Sequence, residues 1–367
     1  MSKIAIIIGT RAEYIKCFTI LHELDVRGIP YEFIHTGQHS LGDFCKKFKT
    51  KEPDIIINAR NGFNSDTGGA FKWGLQTLPK IVKYLKSKKD ICFVVVQGDT
   101  IACALGCFAG RLVGKKVVHV EAGLRSGNIF SPAPEEAIRQ TVDFLSDVKF
   151  AVSEKVKKNL RGEVYNVGNT CYDALEYALT IPNELKLHLP DKYAVCTFHR
   201  HETLKDKNKM RVIVNILSYS QIPVYLFMHK NTEVKLKKYR LWPLGPNIVI
   251  HEPLPYEQII RVLKNAQFVI SDSGGVQEEC AALNIPFICL RGESERDELF
   301  DRPDQVLTKL DEETGKLAIM KYSLPRKPYK LYNPYKQSKS ASEQIVDVLL
   351  EKVRQTPKRK VFKGNGV

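Results

Sequence analysis

The chain has 367 residues, enough for two domains, and its 43% hydrophobic and 26% charged content is that of a soluble globular protein, not a disordered or fibrous one. The net charge of +15 suits anionic small ligands, but the bases are dispersed and no motif interleaves them with aromatics, so no nucleic-acid partner is expected. No apolar run approaches the roughly 20 residues of a membrane span, and the nine scattered cysteines contain no C-x-x-C pair, which indicates neither zinc nor a disulfide framework and fits a reducing cytoplasm.

Met1-Ser2-Lys3 runs straight into Ile4 to Ile8, a strand opening and not a signal peptide. Lys3 to Ile8 reads as a continuous apolar strand ending in Gly9-Thr10-Arg11, and Ala12 to Leu24 as a helix. Arg11 and Lys16 flank that helix start and suit a phosphate, although a first-turn arginine in solvent fits the same pattern. Tyr31 to Thr36 reads as a second strand ending in Gly37-Gln38-His39, and the following stretch is poorly periodic up to Asp66. A helical pattern returns over Gly69 to Leu85. The strand Cys92 to Val96 then leads to Gln97-Gly98-Asp99-Thr100 and a small-residue helix, Ala102 to Leu112. Lys116 to Val120 reads as a strand ending in Glu121-Ala122-Gly123-Leu124-Arg125. The loop Ser126 to Pro134 precedes Glu135-Glu136 and the helix Ala137 to Leu145, and Val148 to Val152 and Val164 to Val167 are further strands.

Asn169 to Pro190 reads as the crossing to a second alternation. Its strands are Tyr193 to Phe198, ending at His199, Pro223 to Met228, ending at His229, Asn247 to His251, Phe268 to Ile270, and Pro286 to Leu290, ending at Arg291. The stretch Gln267 to Leu283 is the most informative. A short buried strand meets Ser271-Asp272-Ser273-Gly274-Gly275, and helical spacing follows. Such a turn points unpaired backbone N–H groups and the positive end of a helix dipole at a ligand, with glycines permitting close approach, so a phosphate is the natural guest. A carboxylate one turn in, Glu278 or Glu279, can accept from ribose hydroxyls. An ordinary strand-to-helix connection fits the same residues.

The expected fold class is therefore α/β, with two Rossmann-like, doubly wound parallel-sheet domains facing a central cleft. The polar residues fall at the carboxyl ends of the strands, where open parallel sheets bind ligands. Carboxylates in the first half, with histidines and a phosphate cradle in the second, suit a nucleotide substrate that undergoes acid–base chemistry. Structural roles compete for each residue: Asp99 as a helix cap, Glu121 as an ion-pair partner of Arg125, Glu135 as a first-turn carboxylate, His199 as a core histidine.

Six ordered motifs, Gly9-Thr10-Arg11, Gln97 to Thr100, His119 to Arg125, Pro134-Glu135-Glu136, Gly168-Asn169-Thr170 and Ser271 to Glu279, together resemble the non-hydrolysing UDP-N-acetylglucosamine 2-epimerase family, from residue 4 to about 350. The loop Ser126 to Pro134 resembles one branch of it. The resemblance implies the GT-B arrangement, interconversion of UDP-GlcNAc and UDP-ManNAc, and neither a metal nor any other cofactor. Carried over by motif, Asp99, Glu121, Glu135 and His199 are the acid–base residues, and Arg11 and Lys16 bind the nucleotide. Ser273, Gly274 and Gly275 form the phosphate turn, Glu279 holds the ribose, Arg296 belongs to a later phosphate loop, and Leu254 and Ile259 fall at the uracil. His229, at its strand end, joins the substrate-binding set. The implied partners are a UDP-sugar, as substrate and as effector, and a second copy of the chain.

The boundaries expected are residues 1–170 for the acid–base domain, 171–338 for the UDP-binding domain, 339–356 for a last helix packing back on the first domain, and 357–367 for a basic tail. Ala12, His201 and Asp297 depart from the family's usual proline, arginine and proline, whereas Glu13 follows the non-hydrolysing form. These departures leave open a UDP-diacetamido sugar or uronic acid as substrate and a non-catalytic UDP-sugar-binding protein; the Gly9-Thr10-Arg11-Ala12 start, which the related hydrolysing epimerases share, leaves open a hydrolysing epimerase, and the double-Rossmann architecture a GT-B glycosyltransferase.

Overall fold

The structure is a computed structural model, and it describes residues 2–59, 67–127, 134–182, 184–324 and 335–356. Most of the Ser126 to Pro134 loop and all of the tail at 357–367 lie outside those residues. The chain forms two compact units, residues 1–173 with 335–367, and residues 174–334. Each is a parallel sheet with helices, the fold class the strand and helix alternation implied.

Among the described residues the first unit holds seven strands: β1 (Lys3–Ile8), β2 (Tyr31–His35), β3 (Ile55–Ile56), β4 (Ile91–Gln97), β5 (Lys116–Ala122), β6 (Val148–Ala151) and β7 (Glu163–Asn166), in the order β3-β2-β1-β4-β5-β6-β7. Its core places Ile7, Val94 and Val96 of the central strands against Cys103, Cys107 and Ala109 of the helix Ile101–Leu112. Fully burying one such aliphatic side chain contributes about 1.5–3 kcal/mol, which is why β1 and β4 are apolar without alternation. Gly106 lets that helix lie close: a Cβ there would meet Val96 Cγ1 at 2.7 Å and Ile7 Cγ2 at 3.2 Å. The last helix, Ala341–Gln355, packs on the Arg11–Val26 helix. Its Ser342 hydroxyl bonds Thr19 and Asp173, each at 2.7 Å.

The second unit holds β8 (Ala194–Thr197), β9 (Val224–Phe227), β10 (Ile248–His251), β11 (Phe268–Ser271), β12 (Phe287–Cys289) and β13 (Gln305–Leu307), in the order β10-β9-β8-β11-β12-β13. Ala194, Leu226, Phe268, Ile270 and Ile288 pack against Met210, Ile213 and Ile216 of the helix Lys207–Ser218. Both sheets reverse their winding once, between β1 and β4 and between β8 and β11. That switch point is where such sheets bind ligands.

Three details add to or differ from the sequence reading. The edge strands β3 and β13 have two and three residues, too short to carry a pattern. The stretch Asn169 to Pro190, read as the crossing, begins as the helix Thr170–Thr180, and the chain passes from one unit to the other within it, between Asp173 and Ala174. Glu121 lies inside β5, not beyond it, because the strand bulges between Val120 and Ala122. Among the described residues no helix is long and apolar enough to cross a membrane.

Candidate functional site

In the first unit the site grows from two turns flanking the switch point, after β1 and after β4. Thr10 caps the helix Arg11–Val26 in a reciprocal capping box with Glu13. Arg11 is exposed, donates Nε–H to the Ser40 carbonyl at 2.8 Å, and lies over the Phe44 ring. Thr100 caps the helix Ile101–Leu112 by accepting from Cys103 N–H, so the capping role weighed for Asp99 belongs to its neighbour. Asp99 instead meets the guanidinium of Arg139, which is buried and also holds Glu136. Glu136 in turn accepts from Gln140 at 2.9 Å and from Ser126 N–H at 3.2 Å. Glu135, beside it at the first position of the helix Glu135–Leu145, is partly buried.

Glu121 is the most unusual residue of this edge. It is a non-glycine residue at φ 64°, a conformation sparsely populated for side chains with a Cβ. The bulge turns its carboxylate to Lys16, whose Nζ lies 2.6 Å from both oxygens, and to the Gln97 amide. The ion pair weighed between Glu121 and Arg125 does not form. Arg125 pairs with Asp143 at 2.6 Å, which also accepts from His119 Nδ1–H at 2.7 Å and Gly123 N–H at 3.2 Å. Burial works to raise the Asp143 pKa, but the hydrogen bonds and charges of His119 and Arg125 outweigh it and hold the group below its usual value.

In the second unit the turns after β8 and β11 meet at Asp272. This fully buried carboxylate accepts His199 N–H at 3.1 Å and Arg200 N–H at 2.9 Å. The His199 side chain reaches solvent, so it is not a core histidine. Its ring lies 4.6 Å from that of His229. Desolvation by its surroundings, then the neighbouring His199, pushes His229 down to about 4, although the residue is exposed.

Ser273 caps the helix Gly274–Leu283, with its side chain accepting from Val276 N–H. The two glycines of that turn differ. A Cβ on Gly275 would find its nearest neighbour, Ser273 Oγ, at 3.9 Å, whereas a Cβ on Gly274 would lie 2.7 Å from Arg296 Cζ. Arg296 is buried behind the turn, paired with Glu278 at 2.7 Å and Glu295 at 2.5 Å, and Glu295 also meets Arg291 at 2.7 Å. Glu279 is buried one turn into the helix. Leu254 lines a cavity of about 810 Å³ with Glu184, Leu185, Lys186, Leu187, His251 and Gln258. Ile259, half-buried on the helix Tyr256–Asn265, is not part of that lining.

The structure thus joins Lys16 to Glu121, His199 to His229 and Gly274 to Arg296. Arg139 and Glu295 are partners that the sequence does not single out, and Glu13, Gln97 and Asp272 stand in its motifs without a role assigned to them.

A family model described as UDP-N-acetylglucosamine 2-epimerase matches residues 22–350. A UDP-N-acetylglucosamine 2-epimerase of Methanococcus maripaludis is 33% identical over 338 residues, covering 85% of this chain and 89% of its own. A protein of the same name from Methanocaldococcus jannaschii is 32% identical over 372 residues, covering 95% and 98%. Among solved structures, Methanocaldococcus jannaschii UDP-GlcNAc 2-epimerase in complex with UDP-GlcNAc and UDP superposes with a TM-score of 0.82 at 29% identity, over 95% of this chain and 99% of that one.

Proposed function

The chain belongs to the UDP-N-acetylglucosamine 2-epimerase family, and from that premise we propose that it interconverts UDP-GlcNAc and UDP-ManNAc without net hydrolysis. The C2 proton of an N-acetyl sugar is too weakly acidic for direct removal. The anomeric C–O bond breaks first, its electron pair leaving with UDP, and positive charge develops at C1. A base then takes the C2 proton, giving a 2-acetamidoglucal. A proton returns to the opposite face of C2 and UDP adds back at C1.

Each step asks something of named residues. Departure of the diphosphate calls for pre-oriented donors, and the N–H groups at Gly274 and Gly275, the Ser273 hydroxyl and the Arg11 guanidinium supply them. Arg296 acts from behind the turn. Glu279 accepts from the ribose, and Leu254 with Ile259 flanks the uracil. Proton transfer on two faces of C2 falls to Asp99, Glu121, Glu135 and His199, with His229 against the His199 ring.

The observation that supports this best is the backbone of Glu121. Strain of about 1–3 kcal/mol persists only where the surroundings over-determine it, and such residues cluster at functional sites. Here the strain turns a carboxylate toward Lys16 and the residue two before Asp99.

The enzyme works in the cytoplasm as a homodimer. Phe108 and Leu112, one turn apart, are exposed on the Ile101–Leu112 helix, and Phe144 at the end of the neighbouring helix is 86% exposed. A second copy of this face would cover them. Proton NMR of UDP-GlcNAc with the purified protein tests the reading. UDP-ManNAc should appear with no acceptor added. UDP release that depends strictly on an acceptor would make the chain a glycosyltransferase, and ManNAc with UDP as the stable products would make it a hydrolysing epimerase.

A further inference from the structure

At the switch point of each sheet, one buried acid fastens together the turns that leave the two flanking strands. In the second unit this acid is Asp272, which joins the turn after β8 to the start of its own. In the first unit it is Glu13. Glu13 Oε2 accepts the N–H groups of Gly9 at 2.9 Å and Thr10 at 2.8 Å, and Oε1 accepts the Thr100 hydroxyl at 2.5 Å, 87 residues away in sequence.

A capping box needs only the first set of bonds, the carboxylate reaching back to the N-cap backbone. It needs neither the bond to Thr100 nor burial. Yet Glu13 is 1% exposed, and that burial pushes its carboxyl up to about 7, against the hydrogen bonds from Thr100, Gly9 and Thr10 that favour the anion. A helix cap in solvent carries no such cost. The residues it joins also matter. Thr10 immediately precedes Arg11, and Thr100 immediately follows Asp99. Both threonines are helix N-caps, so the bond locks one helix start to the other across the gap between β1 and β4.

We propose that Glu13 is a positioning residue that, through Thr100, fixes the spacing of Arg11 and Asp99, so that diphosphate stabilisation and proton handling act on one substrate together. This rests on the epimerase reading, which assigns those two roles. Catalytic groups must be held to within roughly 0.5 Å of productive geometry, and a shift of 1 Å can lower the rate about 100-fold.

The test compares Thr100→Val, Thr100→Ser, Glu13→Ala and Glu13→Ala/Thr100→Val, with kcat normalised to the fraction of protein that binds UDP. Wild-type turnover of UDP-GlcNAc is measured first, and its absence defeats the epimerase reading itself. With wild type active, Thr100→Val should lower kcat by about tenfold or more with KM within about twofold, Thr100→Ser should restore it, and the double variant should be no slower than Glu13→Ala. Loss of the helix cap alone would reduce thermal stability and the binding-competent fraction without changing normalised kcat. Wild-type normalised kcat in Thr100→Val, or losses that multiply in the double variant, would overturn the proposal.

Discussion

Replacing Gly274 by alanine tests how the phosphate turn is built. The new Cβ would lie 2.7 Å from Arg296 Cζ and closer still to Nη1. A long side chain can often swing aside, but Arg296 is pinned between Glu278 and Glu295, all three nearly inaccessible. Overpacking costs roughly 1–3 kcal/mol, and a buried ion pair with one partner displaced roughly 3–5 kcal/mol. A loss of about 3 kcal/mol follows, or a fall of roughly 6–12 °C in Tm for a unit the size of residues 174–334. Gly275→Ala is the control. Its Cβ has open space at the second helical position, so stability should hold or rise by up to about 1 kcal/mol. Only UDP affinity should fall there, because the methyl group occupies the approach of the diphosphate. Calorimetric unfolding and UDP titration of both variants decide the matter. Equal Tm values for Gly274→Ala and wild type, or equal destabilisation by the two substitutions, would refute the reasoning.

Three further outcomes follow from the same geometry. Glu121→Gln keeps the shape but removes the charge beside Lys16, so turnover should fall roughly 10²–10⁴-fold with UDP affinity little changed, read by NMR and calorimetry. Arg139→Met leaves the fully buried Glu136 without its guanidinium and should cost roughly 3–5 kcal/mol in urea unfolding, while Arg139→Met/Glu136→Gln should recover much of that. Glu13 is raised from 4.5 to about 7, so its contribution to stability is fully present below about pH 4.5 and is lost as pH rises through about 7, by at most about 3 kcal/mol. The Tm of Glu13→Gln relative to wild type should therefore rise between pH 5 and pH 8, and a constant difference would contradict the burial argument.

Much of the fold was legible because parallel strands buried on both faces read as unbroken apolar runs, as Ile4 to Ile8 and Phe93 to Val96 do. The turns were legible for a related reason: Gly98, Ser273 and Gly274 punctuate those runs where the chain changes direction. Pairings were not legible. Asp99 and Arg139 lie 40 residues apart, Glu13 and Thr100 87, and no local pattern links them. Adjacent glycines read alike, and only the position of Arg296 separates Gly274 from Gly275. Nor does a glutamate inside an apolar strand announce a left-handed backbone, since Asn, Asp and Gly are the residues that usually adopt it.

The most direct measurement of the proposed chemistry is epimerisation of UDP-GlcNAc in D₂O, followed by NMR and mass spectrometry of the recovered nucleotide sugars. If C2 loses its proton to Asp99, Glu121, Glu135 or His199 and regains one on the other face, UDP-ManNAc should carry one deuterium at C2, and recovered UDP-GlcNAc should acquire it as turnover proceeds. UDP-ManNAc formed with protium retained at C2 would contradict elimination and re-addition.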